Sequence, residues 1–218
     1  MEQQFNYHVT LHKDNTYSLA VSIDQGYMLP EDFVLVAELA KKHNVGKMML
    51  TTEKKVSFMD VAAEEVNPLW ADLQETFGER ICNPKGKITV CPGSMYCKFA
   101  MAGLDNHAMG RKIEEVSKKH NAGKVKVGVS CCPRNCAMSQ IKDIGVSANV
   151  KGWVVTVGGN AGMIAKVGEK LADGLNDDEL LALLDKVYQY IEENKKDNER
   201  TNKTIARLGI EHLKAAVL

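Results

Sequence analysis

The sequence lacks several features that would define its class. It has no apolar run of about 18 residues, which a transmembrane helix requires, and its start shows neither a basic leader nor an apolar signal core. The 28 basic and 28 acidic side chains balance, so a general nucleic-acid or membrane-surface protein is disfavoured. We therefore expect a cytoplasmic protein that binds neither nucleic acid nor membrane.

Other cofactor and domain signatures are also missing. The six histidines form no His-x3-His or related pair, which disfavours a zinc hydrolase. No Gly-x-Gly-x-x-Gly run follows an expected strand, so electrons for a redox reaction should come from a separate protein donor. There is no internal repeat and no linker rich in Gly, Pro or Ser, so the parts of the chain are expected to pack together.

What the chain does contain is two cysteine pairs, Cys91-x5-Cys97 and Cys132-x3-Cys136. Thiolates are soft ligands that select iron–sulfur clusters, zinc or copper(I). Compact zinc sites favour Cys-x2-4-Cys hairpins, which neither the first gap nor the 34 residues between the pairs resembles. Spacing alone favours an iron–sulfur cluster, and it leaves zinc or scattered buried thiols open.

Both cysteine pairs lie in basic stretches. Residues 80–104 and 116–142 each contain an acid-poor, lysine-rich window, and an anionic group is one explanation. The alternative is a set of solvated lysines whose counter-charge lies in the acidic stretch 173–199. The coincidence with the cysteines favours the anion.

Hydrophobic periodicity predicts two units of mixed α and β structure. In the first, a hairpin is followed by a helix beginning at Pro30, two short strands, and a helix that ends before Gly78. In the second, each cysteine pair directly follows a strand, where α/β folds place ligands. The expected elements of the second unit are strand 87–90, helix 106–119, strand 124–129, helix 135–141, strands 145–148 and 153–157, an amphipathic helix within 176–194 and a last helix over 204–217.

The stretch 124–137, KVKVGVSCCPRNCA, resembles the Lys-x-Lys, strand and Cys-x3-Cys element of the sirohaem-containing nitrite and sulfite reductases, and Cys91-x5-Cys97 is similar to their other pair. Asp143-Ile-Gly-Val followed by Gly158-Gly-Asn resembles their next strands and glycine turn. Leu50-Thr-Thr is similar to a strand of their ferredoxin-like domain. The resemblance implies an α+β protein, with a ferredoxin-like half-domain over 1–78 packed on an α/β sirohaem and [4Fe-4S] domain over 79–218 that ends in helices.

The resemblance also implies two cofactors. Four thiolates would ligate a [4Fe-4S] cluster, and Cys136 would in addition be the axial ligand of the sirohaem iron. Sirohaem carries eight carboxylates, which cations and backbone amides would bind. The cluster ligands implied are Cys91, Cys97, Cys132 and Cys136. The implied sirohaem contacts are Cys136, Arg134, Asn135, Lys98, Gly159, Asn160 and Gly162, with Lys85 and Lys142 as further candidate cations.

The implied reaction is the six-electron reduction of sulfite to sulfide, with nitrite reduction to ammonia as the alternative. A second alternative is a noncatalytic sirohaem and iron–sulfur protein, or a subunit of a larger reductase. By resemblance, Lys124 and Lys126 would contact the substrate anion, and alternate positions on one strand would point them the same way. Lys87 matches a further family cation.

Two departures from the family pattern affect these expectations. Glu53 stands where the family has an arginine, so either a neighbouring lysine such as Lys54 substitutes for it as a substrate contact, or the register differs, or activity is reduced. Cys131 replaces a glycine, and we interpret it, like Cys82, as a small apolar filler. The chain also has one copy of a unit that monomeric members have twice, so a homodimer is expected.

Overall fold

The structure, a computed structural model, describes residues 7–82 and 87–218. The chain forms two compact units, residues 1–85 and 86–218. Lys85, a candidate cation in the sequence, lies outside the described residues. Within the described ranges, no helix is both long and apolar enough to cross a bilayer.

The first unit is an antiparallel four-stranded sheet with two helices, in the strand order β1-β2-β4-β3. Its core joins the apolar face of the sheet, which includes Leu19 and Phe58, to Val36 of the first helix and Leu69 and Leu73 of the second. Its elements are β1 (Val9–Leu11), β2 (Tyr17–Val21), α1 (Pro30–Lys42), β3 (Lys47–Leu50), β4 (Val56–Val61) and α2 (Val66–Phe77).

The second unit is a five-stranded mixed sheet with helices, in the order β5-β6-β7-β8-β9. The first three strands run parallel and the last three antiparallel. Trp153, Ile144 and Leu184 are fully buried in its core. Its elements are β5 (Lys87–Val90), α3 (Gly93–Tyr96), α4 (Asn106–Lys118), β6 (Lys126–Ser130), β7 (Ile144–Asn149), β8 (Gly152–Val157), β9 (Glu169–Leu175), α5 (Asp177–Asn194), α6 (Thr201–Leu208) and α7 (Ile210–Val217).

The α+β class expected from the sequence is confirmed, and several elements are corrected. The strand expected from residue 124 begins at Lys126, so Lys124 precedes it. The helix expected over 135–141 is wrong, because Asn135 and Met138 have φ of 62° and 54°, and only a short 3-10 turn, Ser139–Ile141, forms there. Left-handed residues cannot continue an α-helix.

Two further differences lie near the carboxyl end. The strand β9 was not predicted, because its sequence, EKLADGL, lacks the alternation and β-branched residues that indicate a strand. The last helix is two helices, since Gly209, with φ of 89°, ends α6 and begins α7. The amphipathic helix predicted within 176–194 is present as α5, with Asn176 as its N-cap.

Candidate functional site

Both cysteine loops begin at the same edge of the parallel sheet. Cys91 follows the last residue of β5, and Cys131 and Cys132 follow the last residue of β6. Strands β5 and β6 are hydrogen-bonded neighbours, and the backbone N–H of Cys91 donates to the carbonyl of Val129 at 3.0 Å. Parallel strands end at a common edge, so residues 40 positions apart meet there.

The first cysteine loop is held by the start of α4. Asp105 caps this helix, because its carboxylate accepts from the N–H groups of Ala108 and His107. These bonds lower the pKa of Asp105. The fully buried Asn106 donates its Nδ2 to the carbonyl of Cys91 at 3.0 Å and to Cys91 Sγ at 3.5 Å. Its Oδ1 accepts from the N–H of Ser94 at 3.0 Å. A Cβ at Gly93 would lie 1.7 Å from that Oδ1, so the approach requires glycine.

The second cysteine loop is held by hydrogen bonds within itself. The Oδ1 of Asn135 accepts from Ser139 Oγ at 2.6 Å and from the N–H of Gln140 at 3.1 Å. Ser130 Oγ accepts from the N–H of Ala137 at 3.2 Å. These bonds fix the loop in the turn that follows β6.

Two glycines allow this loop to fold back over the sheet. Gly128 of β6 and Gly145 of β7 are paired in register. A Cβ at Gly128 would lie 2.7 Å from the Cα of Ser139, and one at Gly145 would lie 2.3 Å from the Ser139 carbonyl oxygen. The backbone after the second cysteine pair therefore lies directly on the sheet, where no side chain would fit.

The thiols gather between the two loops. Cys91, Cys131 and Cys132 are buried in one small cluster, Cys97 packs against it, and Cys136 is exposed. The N–H of Cys131 donates to Cys91 Sγ at 3.1 Å, and burial raises the pKa of the Cys131 thiol.

This donor set is chemically suited to an iron–sulfur cluster. It consists of soft thiols from two loops, with one thiol facing outward. Among the described residues, no three His, Cys, Asp or Glu side chains converge on a point as the ligands of a single ion do. A [4Fe-4S] cluster takes one thiolate at each iron, so its ligands surround a volume instead.

Beside the thiols lies an exposed surface that combines cations with apolar side chains. The guanidinium carbon of Arg134, from the second loop, is 3.8 Å from the ring centroid of Phe99. The Nζ of Lys98, from the first loop, is 5.2 Å from the same centroid. Met95 and Tyr96 next to them are 61% and 69% exposed. We call this the cationic aromatic surface; its composition suits a flat, polyanionic ligand.

The other cations predicted from the sequence lie at the opposite edge of the sheet. Lys87 and Lys126 begin β5 and β6 and are paired in register. The N–H of Lys126 donates to the carboxylate of Asp143 at 2.8 Å, and Arg200 reaches the same carboxylate at 3.1 Å. At ~3.3 Å per residue, the four residues of β5 span about 13 Å and the five residues of β6 about 17 Å. The exposed Lys124 precedes this edge, so within one chain these lysines lie far from the thiols.

The buried carboxyl group of Asp143 in this ion pair has a raised pKa. Burial raises the pKa of Asp143, and the Lys126 N–H and the Arg200 guanidinium oppose that shift without cancelling it. The amino edge therefore contains charged groups that bind one another.

The glycine turn predicted to bind sirohaem also lies at the amino edge. The N–H of Gly158 donates to the carbonyl of Asp143 at 2.9 Å. Asn160 and Lys166 exchange backbone hydrogen bonds of 2.8 Å, so the amide of Asn160 is already bound. Gly159 packs against the chain, since its Cβ would lie 2.4 Å from the Lys142 carbonyl oxygen, whereas Gly162 lies in an exposed loop.

Lys54 lies in the first unit, apart from these residues in the sequence. Its Nζ donates to the hydroxyl of Tyr27 at 2.9 Å and lies 4.3 Å from the centroid of that ring. Its backbone φ of 56° places it in a tight turn between β3 and β4. Glu53, before it, is half-buried.

Sequence reasoning missed the residues that organise the thiol edge. Asn106 carried one available signal, because it directly follows the helix-capping Asp105 and comes soon after the first cysteine pair. Phe99 stands next to Lys98 in the sequence, but only the fold brings Arg134 to its ring. Ser130 and Ser139 gave no signal, because their bonds depend on the turn between them.

Comparison with known proteins matches each unit to a family model. Residues 83–218 match the nitrite and sulphite reductase 4Fe-4S domain, and residues 10–76 match the nitrite/sulfite reductase ferredoxin-like half domain. The chain belongs to the nitrite and sulphite reductase family. Members of this family are oxidoreductases, and the resemblance stated from the motifs is confirmed.

Individual relatives of this reductase carry both substrate names. It is 30% identical over 204 residues to an assimilatory-type sulfite reductase of Nitratidesulfovibrio vulgaris, covering 93% of each chain. It is 30% identical over 214 residues to a nitrite reductase [NAD(P)H] of Bacillus subtilis, covering 96% of this chain and 26% of that relative.

A solved structure supports the fold of this reductase. The Mycobacterium tuberculosis NirA protein superposes with a TM-score of 0.77 at 20% identity, over 98% of this chain and 42% of that one. The match covers nearly the whole of this chain. The chain spans less than half of that larger protein.

Proposed function

We propose that this protein is a sirohaem-dependent reductase that converts sulfite to sulfide in the cytoplasm, with electrons from a separate protein donor. The observation that carries the proposal is the gathering of Cys91, Cys97 and Cys132 in one cluster, with Cys136 exposed on the same loop as Arg134 of the cationic aromatic surface, at one edge of a parallel sheet. The similarity to a sulfite reductase of nearly the same length supports sulfite over nitrite.

The cysteine loops are the proposed cluster site. Cys91 and Cys132, which are buried, and Cys97, which is half-buried, would hold three irons between two adjacent strand ends. Cys136, the exposed thiol, would hold the fourth and face the haem. Bound together, a [4Fe-4S] cluster and sirohaem supply single electrons to an anion at the haem iron.

The cationic aromatic surface is the proposed sirohaem site. Arg134 and Lys98 are exposed and would bind ring carboxylates, while Phe99 and Tyr96 present apolar area to the macrocycle. Asn135 would keep the turn between Cys132 and Cys136 in shape through its bonds to Ser139 and Gln140. The loop containing Gly159, Asn160 and Gly162 lies at the amino edge, so it would contact a macrocycle held at the carboxyl edge of a second copy of the chain.

Substrate contacts are proposed for Lys124, Lys126 and Lys87, with Lys54 in the first unit. Cations at an anion site would hold substrate oxygens and deliver protons as those oxygens leave as water. At ~3.3 Å per residue along the strands of their own chain, Lys87 lies about 13 Å from Cys91 and Lys126 about 17 Å from Cys131, and Lys124 precedes Lys126. A second copy of the chain is therefore the proposed source of lysines for each thiol site, which makes the protein a homodimer.

Mixing two inactive variants would test this shared site. K124Q removes a proposed substrate cation, and C132S removes a proposed cluster ligand. If each site draws on both copies, half of the randomly mixed dimers contain one intact site, and about a quarter of wild-type activity returns. No recovery, or a holoprotein that sediments near the chain mass of 24.1 kDa, would contradict the dimer.

Anaerobic assays would test the reaction itself. Protein reconstituted with both cofactors and a low-potential electron donor is offered sulfite or nitrite separately, and sulfide and ammonium are measured. We expect sulfide, with the higher kcat/KM for sulfite. A preference for nitrite would make the protein a nitrite reductase, in keeping with the Bacillus relative.

A third outcome would assign a noncatalytic role. Binding of both cofactors without turnover of either anion would indicate an electron-transfer protein or a subunit of a larger reductase. The residue that favours this alternative is Glu53, a carboxylate at the expected arginine position, beside a Lys54 that already contacts Tyr27.

A further inference from the structure

Asn106 makes contacts that distinguish it from every other residue that supports the cysteine loops in the described chain. Its side chain is 0% exposed, and it reaches the first loop at the backbone and at the sulfur of the same cysteine. We infer that Asn106 is a positioning residue that presets the Cys91 thiolate and tunes the reduction potential of the cluster. The inference rests on the proposed function, since it concerns a ligand of the proposed cluster.

The positioning role follows from the two-sided amide. The Nδ2 donates to the Cys91 carbonyl at 3.0 Å, and the Oδ1 accepts from the N–H of Ser94 at 3.0 Å. One buried carboxamide therefore spans the start of the Cys-x5-Cys loop and fixes its backbone at Cys91 and at Ser94. Gly93 between them admits no side chain, because its Cβ would overlap the carboxamide.

The tuning role follows from the third contact. The Nδ2 lies 3.5 Å from Cys91 Sγ, which also accepts the N–H of Cys131 at 3.1 Å. Hydrogen bonds to cysteine sulfur are among the factors that set cluster potentials. A donor stabilises the reduced, more negative state, so its removal should lower the potential.

His107 provides a matched control on the same loop. It is the next residue of α4, is also buried, and its Nε2 lies 3.2 Å from the carbonyl of Pro92. It therefore supports the loop at a backbone atom, the Pro92 carbonyl oxygen. Comparing substitutions at Asn106 and at His107 therefore separates the effect of a looser loop from the effect of losing the hydrogen bond to the sulfur.

The test compares wild type, N106L, N106D and H107L as holoproteins in anaerobic redox titrations followed by EPR. N106L and N106D should both give a lower cluster potential, and H107L should leave it at the wild-type value. N106D keeps the acceptor for Ser94, so it serves as the second variant if N106L does not retain the cluster. An unchanged potential in N106D, or an equal shift in H107L, would overturn the inference.

A second readout uses the apoprotein and needs no cofactor. Alkylation of Cys91, followed by mass spectrometry of its peptide, should be about 5- to 30-fold faster in N106L, because two hydrogen bonds worth ~1–2 kcal/mol are lost. An unchanged rate would overturn the positioning role. Failure of the wild type to take up a cluster would instead refute the proposed function. The apoprotein comparison would still test the positioning role of Asn106.

Discussion

The two edges of the parallel sheet contain similar residues in opposite circumstances. At the carboxyl edge, Lys98 and Arg134 are exposed around an aromatic ring, and within the described chain no carboxylate pairs with either. At the amino edge, Arg200 pairs with the buried carboxylate of Asp143, which also accepts the backbone N–H of Lys126. Lys98 and Arg134 can therefore bind an external anion, whereas the guanidinium of Arg200 is bound to an internal one.

This contrast shows what a basic sequence window leaves undetermined. Both windows are rich in lysine, and both flank cysteines, so composition gives them equal weight. The windows do not correspond to the two edges, because the first contains both Lys87 and Lys98 and the second both Lys126 and Arg134. Position in the fold separates the edges: an ion pair with a buried carboxylate contributes to stability, whereas an exposed cation is available to a ligand. The three predictions below test this separation of edges.

The largest effect is expected at the thiol edge. C132S should abolish most of the cluster, because a hydroxyl is a poor ligand where a soft thiolate is needed. C131A changes the adjacent buried thiol, which is outside the proposed ligand set, and should keep the iron and acid-labile sulfide of the wild type. Equal loss of iron in both variants would mean that Cys131 is a ligand or that the loop needs it to fold.

The next effect concerns the exposed cations. The double variant K98Q/R134Q should bind sirohaem about 5- to 30-fold more weakly, since two exposed charged contacts, each worth ~0.5–1 kcal/mol after solvent screening, are lost. Titration of the apoprotein, followed by visible absorption, measures the affinity. The control K119Q/K151Q removes two exposed lysines of the same unit and should bind as the wild type does. Equal weakening in the control would indicate a general charge effect.

The smallest effect on cofactors, and a clear effect on stability, is expected at the amino edge. R200Q leaves Asp143 buried without its cation, so the protein should lose about 1–3 kcal/mol of unfolding free energy near neutral pH. Arg200 is 37% exposed, and this limits the loss. Denaturant unfolding measures it, and the iron content should remain that of the wild type.

The pH dependence of R200Q has a defined sign. Burial already raises the pKa of Asp143, and removal of Arg200 should raise it further. An acid with a raised folded-state pKa binds its proton more tightly when folded, so the stability deficit should shrink as the pH falls and Asp143 becomes neutral. A deficit that is constant from acid to neutral pH would show that Arg200 acts through packing alone.

The sequence predicted the fold where local patterns were strong. The start of α1 at Pro30, the strand β5 and the amphipathic α5 follow from capping and periodicity. The cysteine motifs identified the family, which the family models confirm. The helix expected over 135–141 failed because tertiary contacts hold Asn135 and Met138 in left-handed conformations, which periodicity does not reveal.

The arrangement of the site could be predicted only in part. That cysteine loops follow strand ends was readable, because each loop directly follows an apolar β-branched run. The separation of Lys87 and Lys126 from the thiols was also readable, since each lysine lies at or near the start of an expected strand whose far end leads to a cysteine pair. The carboxamide of Asn106 meets the sulfur of Cys91 through the packing of α4 on β5, a contact with no local sequence signal.

Metal and cofactor analysis of the anaerobically purified protein tests the central claim most directly. We predict about four acid-labile sulfides per chain, iron in slight excess over sulfide, and the strong visible absorption of a tetrapyrrole. Both signals should depend on the thiol edge and survive loss of the Arg200–Asp143 ion pair. A colourless protein containing zinc, or one without acid-labile sulfide after reconstitution, would contradict the assignment of the cysteine loops.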